Sequence, residues 1–107
     1  MIILEENMET DELINQIKQW GVRRKITNPH TQLCKVTEEV GEIAHEITRN
    51  RLSSPEIIDA LGDTCVTIII LADILGFDIR DCLTSAYEEI KNREGVTVDG
   101  NFIKEES

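Results

Sequence analysis

The chain has 107 residues, 40% of them hydrophobic and only four aromatic, and its 21 acids against 11 bases give a net charge of −10. That length suits a single domain over residues 1–107, and a composition rich in aliphatics and helix formers favours an all-α fold. The acidic balance argues against a nucleic-acid partner, and a small polyphosphate would need divalent cations to bridge it to the protein. The three cysteines, Cys34, Cys65 and Cys82, are widely spaced and form no Cys-x-x-Cys pair. Reduced thiols partly buried on helices, and hence a cytoplasmic protein, are expected. The N-terminus lacks the basic region and long apolar run of a signal peptide. The most apolar segment, Val66 to Ala72, is too short to span a bilayer, so no membrane partner is expected.

Residues 1–9 read as a short extended arm. A first helix is predicted from Thr10, with Asp11 and Glu12 in the first turn, where acids favour the helix dipole. Leu13, Ile14, Ile17 and Trp20 recur at helical spacing, which places Trp20 in the core, with stacking on a planar ligand as the other reading. Gly21 and the basic run Arg23-Arg24-Lys25 mark the end of this helix.

Asn28-Pro29 is a cap followed by a proline at the first helical position, so a second helix is predicted from there to about Arg49. Its centre is Lys35-Val36-Thr37-Glu38-Glu39-Val40-Gly41-Glu42. At about 100° per residue, Glu38, Glu39 and Glu42 share one arc with Lys35 in its middle. Leu33, Val36, Val40, Ile43 and Ile47 make an apolar face on roughly the opposite side. Three crowded carboxylates repel one another and raise each other's pKa unless a cation lies among them. Oxygen-only ligands suit a hard ion such as magnesium, manganese or calcium. The plainer reading is a solvated acidic face.

Ser54-Pro55 is a second cap-plus-proline start. It predicts a third helix from Pro55 to Leu75, closed by Gly76 in the left-handed conformation. Its middle, Thr64 to Ile70, is rich in β-branched residues, for which local propensity says strand. The start and stop signals, about 20 residues apart, favour a helix. A helix apolar nearly all round needs cover on most sides, and in so small a chain a homodimer or homotetramer would supply it. Glu56, Asp59 and Asp63 form one row along this helix. Asp63 should lie deepest, just before the apolar run, and a buried carboxylate needs a partner. A cation shared with the second helix would serve, as would an ion pair with Lys35 or Arg93.

Asp78 can cap a fourth helix with Ile79, Leu83, Ala86, Tyr87 and Ile90 on its inner face. Residues 96–107 read as a short hairpin with an Asp99-Gly100 turn, or as a tail.

The order and spacing of Glu38-Glu39-x-x-Glu42 and Asp59-Ala60-Leu61-Gly62-Asp63, with Lys35 ahead of them, resemble the MazG-like nucleoside triphosphate pyrophosphohydrolases, in particular their short phage and bacterial members. Lys91-Asn92-Arg93-Glu94-Gly95 and Gly100-Asn101-Phe102 are similar to phage-type members as well. The resemblance implies a four-helix bundle completed by oligomerisation. It also implies Mg-dependent cleavage of a nucleoside triphosphate to the monophosphate and pyrophosphate, with Mn as a possible substitute. Glu38 or Glu39 would then activate water, Glu39, Glu42, Asp59 and Asp63 would hold metal, and Lys35, Lys91 and Arg93 would contact phosphate. One position departs from the pattern. Ala60 stands where the second motif has a glutamate, and Asp59 or Glu56 would supply the missing carboxylate.

Two other readings compete. Glu42-Ile43-Ala44-His45 has the Glu-x-x-His spacing of di-iron helical bundles, of which one chain supplies a single copy. An acidic helical module that docks to another protein, without catalysis, is the non-enzymatic alternative.

Overall fold

The computed structural model describes residues 8–105. Four helices, α1 Thr10–Arg23, α2 Pro29–Thr48, α3 Pro55–Ile74 and α4 Ile79–Ile90, precede a hairpin of β1 Gly95–Val98 and β2 Asn101–Lys104. The all-α expectation holds, with the hairpin as its one addition. The extended arm expected over residues 1–9 lies, apart from Met8 and Glu9, outside the described residues.

The helix starts follow local chemistry. The Asn28 carboxamide oxygen accepts from the backbone N–H of His30 at 2.9 Å and of Thr31 at 3.2 Å. Ser54 Oγ accepts from Ile57 N–H at 3.2 Å, and Asp78 Oδ1 accepts from Arg80 N–H at 2.8 Å. Each satisfies an amide left without an intrahelical partner. Gly76 follows the C-cap of α3 at φ +85°, a left-handed conformation that glycine enters without steric cost. Asp99 and Gly100 both have positive φ, as a two-residue turn of the kind that matches strand twist requires.

The β-branched stretch of α3 is helical. Thr64 and Thr67 direct their hydroxyls to the carbonyls of Ala60 and Thr64, at 2.7 and 2.8 Å, so neither leaves a polar group unsatisfied in the helix. Tertiary packing overrides strand propensity, because α3 is the helix on which α1, α2 and α4 all pack. Gln32 bonds to Thr67 and Glu46 to Ser54, so α2 and α3 run antiparallel. Gly21 brings α1 close to α3: a Cβ there would lie 3.3 Å from a methylene of Ile70.

The buried core is thin. Among the described residues Ile14, Ile57, Ala60, Ile69, Ile70 and Ala72 are its apolar members, and no large side chain is fully buried. Among the described residues twenty large apolar side chains are exposed, more than three times as many as the core holds. The radius of gyration is 16.5 Å, against about 13 Å for a compact domain of this length.

Several expectations are corrected here. Trp20 is 41% exposed rather than core, and the Arg24 guanidinium lies 5.1 Å from its ring centroid. The three cysteines are free and exposed, not partly buried. The expected inner face of α4 has no buried residue, because α3 is the one helix whose backbone packs close to it, over a short contact, and α1 reaches it only through polar side chains. The hairpin packs on none of the helices.

What fixes the start of α4 is charge. The Arg80 guanidinium donates to Asp78 at 2.7 and 2.8 Å and reaches α1 at Asn15, 2.9 Å away. Lys18 of α1 adds a contact to Asp78 at 3.2 Å. The hydrogen bonds from the Arg80 side chain, then from its backbone, hold the Asp78 carboxyl far below the usual carboxylate range. A carboxylate depressed in the folded state stabilises fully above its unfolded pKa of about 4 and loses that contribution as the pH falls below it. The melting temperature should therefore fall on acidification below about pH 5, and Asp78→Asn should flatten that fall while lowering the plateau at neutral pH. Thermal melts of both proteins across this range test it.

Candidate functional site

The antiparallel α2–α3 pair decides what faces what. Gln32, Glu39 and Glu46 recur every seven residues on α2 and point toward α3. Gln32 and Glu46 are buried at 5% and 6% exposure, and Glu39 is half-buried. The Gln32 amide donates to the Thr67 carbonyl at 3.1 Å. Glu46 accepts from Ser54 Oγ at 3.4 Å and lies 3.6 Å from the Arg51 guanidinium, closing the α2–α3 connection. No buried side-chain polar atom among the described residues lacks a partner.

Relative to this row, Glu38 and Glu42 lie about 60–100° to one side and Leu33, Val40 and Ile47 about 80–120° to the other. On α3, Glu56, Asp59 and Asp63 fall to one side of the face that meets α2, and Leu61, Cys65 and Ile68 to the other. Because the helices are antiparallel, the two acidic flanks coincide and so do the two apolar flanks.

Along the acidic flank runs a cleft of about 580 Å³, a size typical of small-molecule sites. Glu39 and Asp63 face it from the two helices, with Lys35 beside Glu39. Trp20, Lys25 and Asn28 close it at the end of α1 and the α1–α2 loop, and Gln32, Thr67 and Ile70 lie along its length. A groove of similar volume elsewhere, about 570 Å³, holds Asp73 as its one carboxylate, and Lys18 already pairs with it at 3.7 Å. Carboxylates from two facing helices distinguish the first cleft from this groove.

The structure brings some of the candidate residues together and not others. Glu39, Asp63 and Lys35 share the cleft. Lys35 Nζ lies 3.6 Å from the Glu38 carboxylate on the helix surface. Glu38, Glu42, Glu56 and Asp59 are exposed on the same flank outside the cleft lining. Lys91 pairs with Glu88, and Arg93 lies along a groove of the hairpin with Val96 and Phe102. Asp63 is exposed, which corrects its placement as the deepest residue of its row. Ala60, one turn earlier and turned toward α2, is the buried one. Asp63 forms no ion pair among the described residues, with Lys35, Arg93 or any other cation. The apolar face of α2 is likewise only partly used: Val36 and Ile43 are half-buried, while Leu33, Val40 and Ile47 are about half exposed. His45 is on the surface with Nδ1 2.8 Å from Arg49.

Among the described residues, no three His, Cys, Asp or Glu side chains converge on one point. Glu39 and Asp63 nonetheless offer the donor set that magnesium takes, one or two carboxylates with the remaining positions left to water and phosphate oxygens. Sequence reasoning passed over Lys25, Thr31, Gln32 and Thr67. The brevity of the α1–α2 loop was the available signal, since it forces the end of α1 against the start of α2.

The family model for the MazG nucleotide pyrophosphohydrolase domain matches residues 27–96. An uncharacterized 18.2 kDa protein from the rep–hol intergenic region of Haemophilus phage HP1 is 34% identical over 68 residues. That alignment takes in 60% of this chain but only 40% of the phage protein. No solved structure matches. A family match from the α1–α2 loop through the start of the hairpin takes in well over half of the chain, and the protein belongs to the MazG nucleotide pyrophosphohydrolase domain family.

Proposed function

We propose that this protein hydrolyses nucleoside triphosphates to the monophosphate and pyrophosphate, in the cytoplasm, as a homodimer or homotetramer. The observation that carries the reading is the meeting of Glu39 and Asp63 from facing helices in one cleft that also holds Lys35 and Trp20. Membership of the family supports the class of reaction. A magnesium or manganese ion bound there would offset the triphosphate charge and acidify a water molecule.

The chain's own residues then divide the work. Glu39, half-buried beside the α3 carboxylate, takes a proton from the attacking water, and Glu38 next to it is the other candidate base. Glu39 and Asp63, with Glu42 and Asp59 on the same flank, supply the metal-binding oxygens. Lys35 contacts phosphate from the α2 side as a point charge. Trp20 gives the far end of the cleft an aromatic wall on which a base can stack. Lys91 and Arg93 lie outside the cleft of their own chain, so a phosphate role for them needs α4 of a neighbouring copy. The open apolar flank of Leu33, Val40, Ile47, Leu61 and Ile68 supports such an assembly.

A panel of nucleoside triphosphates with magnesium, scored for pyrophosphate, tests the activity. Failure of every nucleotide would leave the acidic docking module as the better reading. Glu39→Gln and Asp63→Asn should each cut turnover by about a hundredfold or more, and Asp59→Asn by more than about tenfold, while Glu56→Gln stays mild. Magnesium should raise the melting temperature, since a ligand bound only by the folded state stabilises it. Equal harm from Glu56→Gln and Asp63→Asn, with an active Asp59→Asn, would reassign the second motif.

Assembly is tested separately. Light scattering at micromolar concentration should give a dimer or tetramer, and Leu61→Glu with Ile68→Glu should reduce it to the monomer. A wild-type monomer would overturn the assembly proposal.

A further inference from the structure

Lys25 is the first residue after the C-cap of α1, and its φ is +58°. This left-handed conformation suits glycine, or asparagine at less strain, and a lysine there is held at a cost of order 1 kcal/mol. Gly76 occupies the equivalent place after α3. The left-handed turn closes α1, with the Lys25 N–H donating to the Val22 carbonyl at 3.0 Å and the Ile26 N–H to the Gly21 carbonyl at 3.1 Å, and this backbone closure gives no reason for a lysine side chain. Its setting offers one. Lys25 lines the cleft that Glu39 and Asp63 face, on the wall across from α2. The other lysine of the cleft, Lys35, is drawn to Glu38 at 3.6 Å. Lys25 has no carboxylate within ion-pair distance among the described residues. It also borders a smaller groove containing Asp73, whose charge Lys18 takes up.

We propose that Lys25 is a substrate-binding residue that contacts the polyphosphate of a nucleoside triphosphate from the α1 side of the cleft. This rests on the pyrophosphohydrolase reading and adds a cation that the sequence motifs do not contain. A triphosphate entering between Glu39 and Asp63 meets two carboxylates, and bound metal offsets only part of the repulsion. An ammonium with no protein partner is free to take a phosphate oxygen, and a charge-assisted contact of that kind strengthens binding. The short loop from Lys25 to the Asn28 cap fixes the lysine against the start of α2. The left-handed backbone turns the chain there, between the end of α1 and the cap.

The assignment makes stability and binding move in opposite directions. Lys25→Gly should raise the melting temperature, because the strain is removed, yet raise KM for the nucleoside triphosphate by about tenfold. Lys25→Asn should behave similarly, and Lys25→Arg should keep KM within about threefold of the wild type, since charge is retained. Trp20 is the one tryptophan of the chain and lines the same cleft, so its fluorescence reports occupancy without turnover. A titration with magnesium and inorganic tripolyphosphate should saturate in the wild type and shift to about tenfold higher concentration in Lys25→Gly. An active wild type whose Lys25→Gly variant has unchanged KM and an unchanged titration would overturn the Lys25 assignment alone. A wild type that neither releases pyrophosphate nor responds to tripolyphosphate would overturn the reading beneath it as well.

Discussion

The pairing of α2 with α3 rests on a row of polar side chains. Gln32 and Glu46 are buried between the helices, and Glu39 lies midway between them. A polar group in such a place destabilises the protein unless it is satisfied, so the row tolerates few arrangements. Gln32 must reach the Thr67 carbonyl at one end, and Glu46 must meet Ser54 and Arg51 at the other. These two anchors set the register of the pair. Greasy side chains alone would leave it freer to slide, because hydrophobic burial is not directional.

Register in turn decides which charges meet. With Gln32 against Thr67, Glu39 and Asp63 come to face one cleft. α1 then roofs the end of that cleft, because Gly21 lets it lie close to Ile70. The opposite flank has no cover among the described residues. The result is a two-sided hairpin, acidic toward the cleft and apolar away from it. Such an arrangement places repulsive charge where cations and phosphates can offset it. It leaves hydrophobic surface on the flank away from the cleft. The small core and extended shape of the isolated chain follow from the same division.

Much of the fold was legible because its signals are local. Asn28-Pro29, Ser54-Pro55 and Asp78 announce three helix starts through caps that act within three residues. Gly76 and Asp99-Gly100 announce a stop and a turn through backbone conformations that few residues adopt. That acids of α2 and α3 share a flank was legible too, because acids at helical spacing on successive antiparallel helices can face the same side. The depth of Asp63 was not. The apolar run after it suggests burial, but depth depends on how α3 is rotated against α2, and the buried place fell to Ala60. Trp20, the cysteines and the inner face of α4 were misplaced for a related reason. Periodicity shows that a face is apolar, and says nothing of whether this chain covers it.

The sequence by itself determined the four helices, their ends, the acidic motifs and the family to which they point. Each of these depends on residues within a few positions of one another, or on a spacing read along one helix. Only the tertiary structure decided that Gln32, Glu39 and Glu46 form the seam between α2 and α3. It alone brought Lys25 and Trp20 to the cleft and left Lys91 and Arg93 away from it. Such placements depend on helix rotation and on which neighbour covers which flank. Those follow from the packing of residues far apart in the chain, which no local pattern encodes.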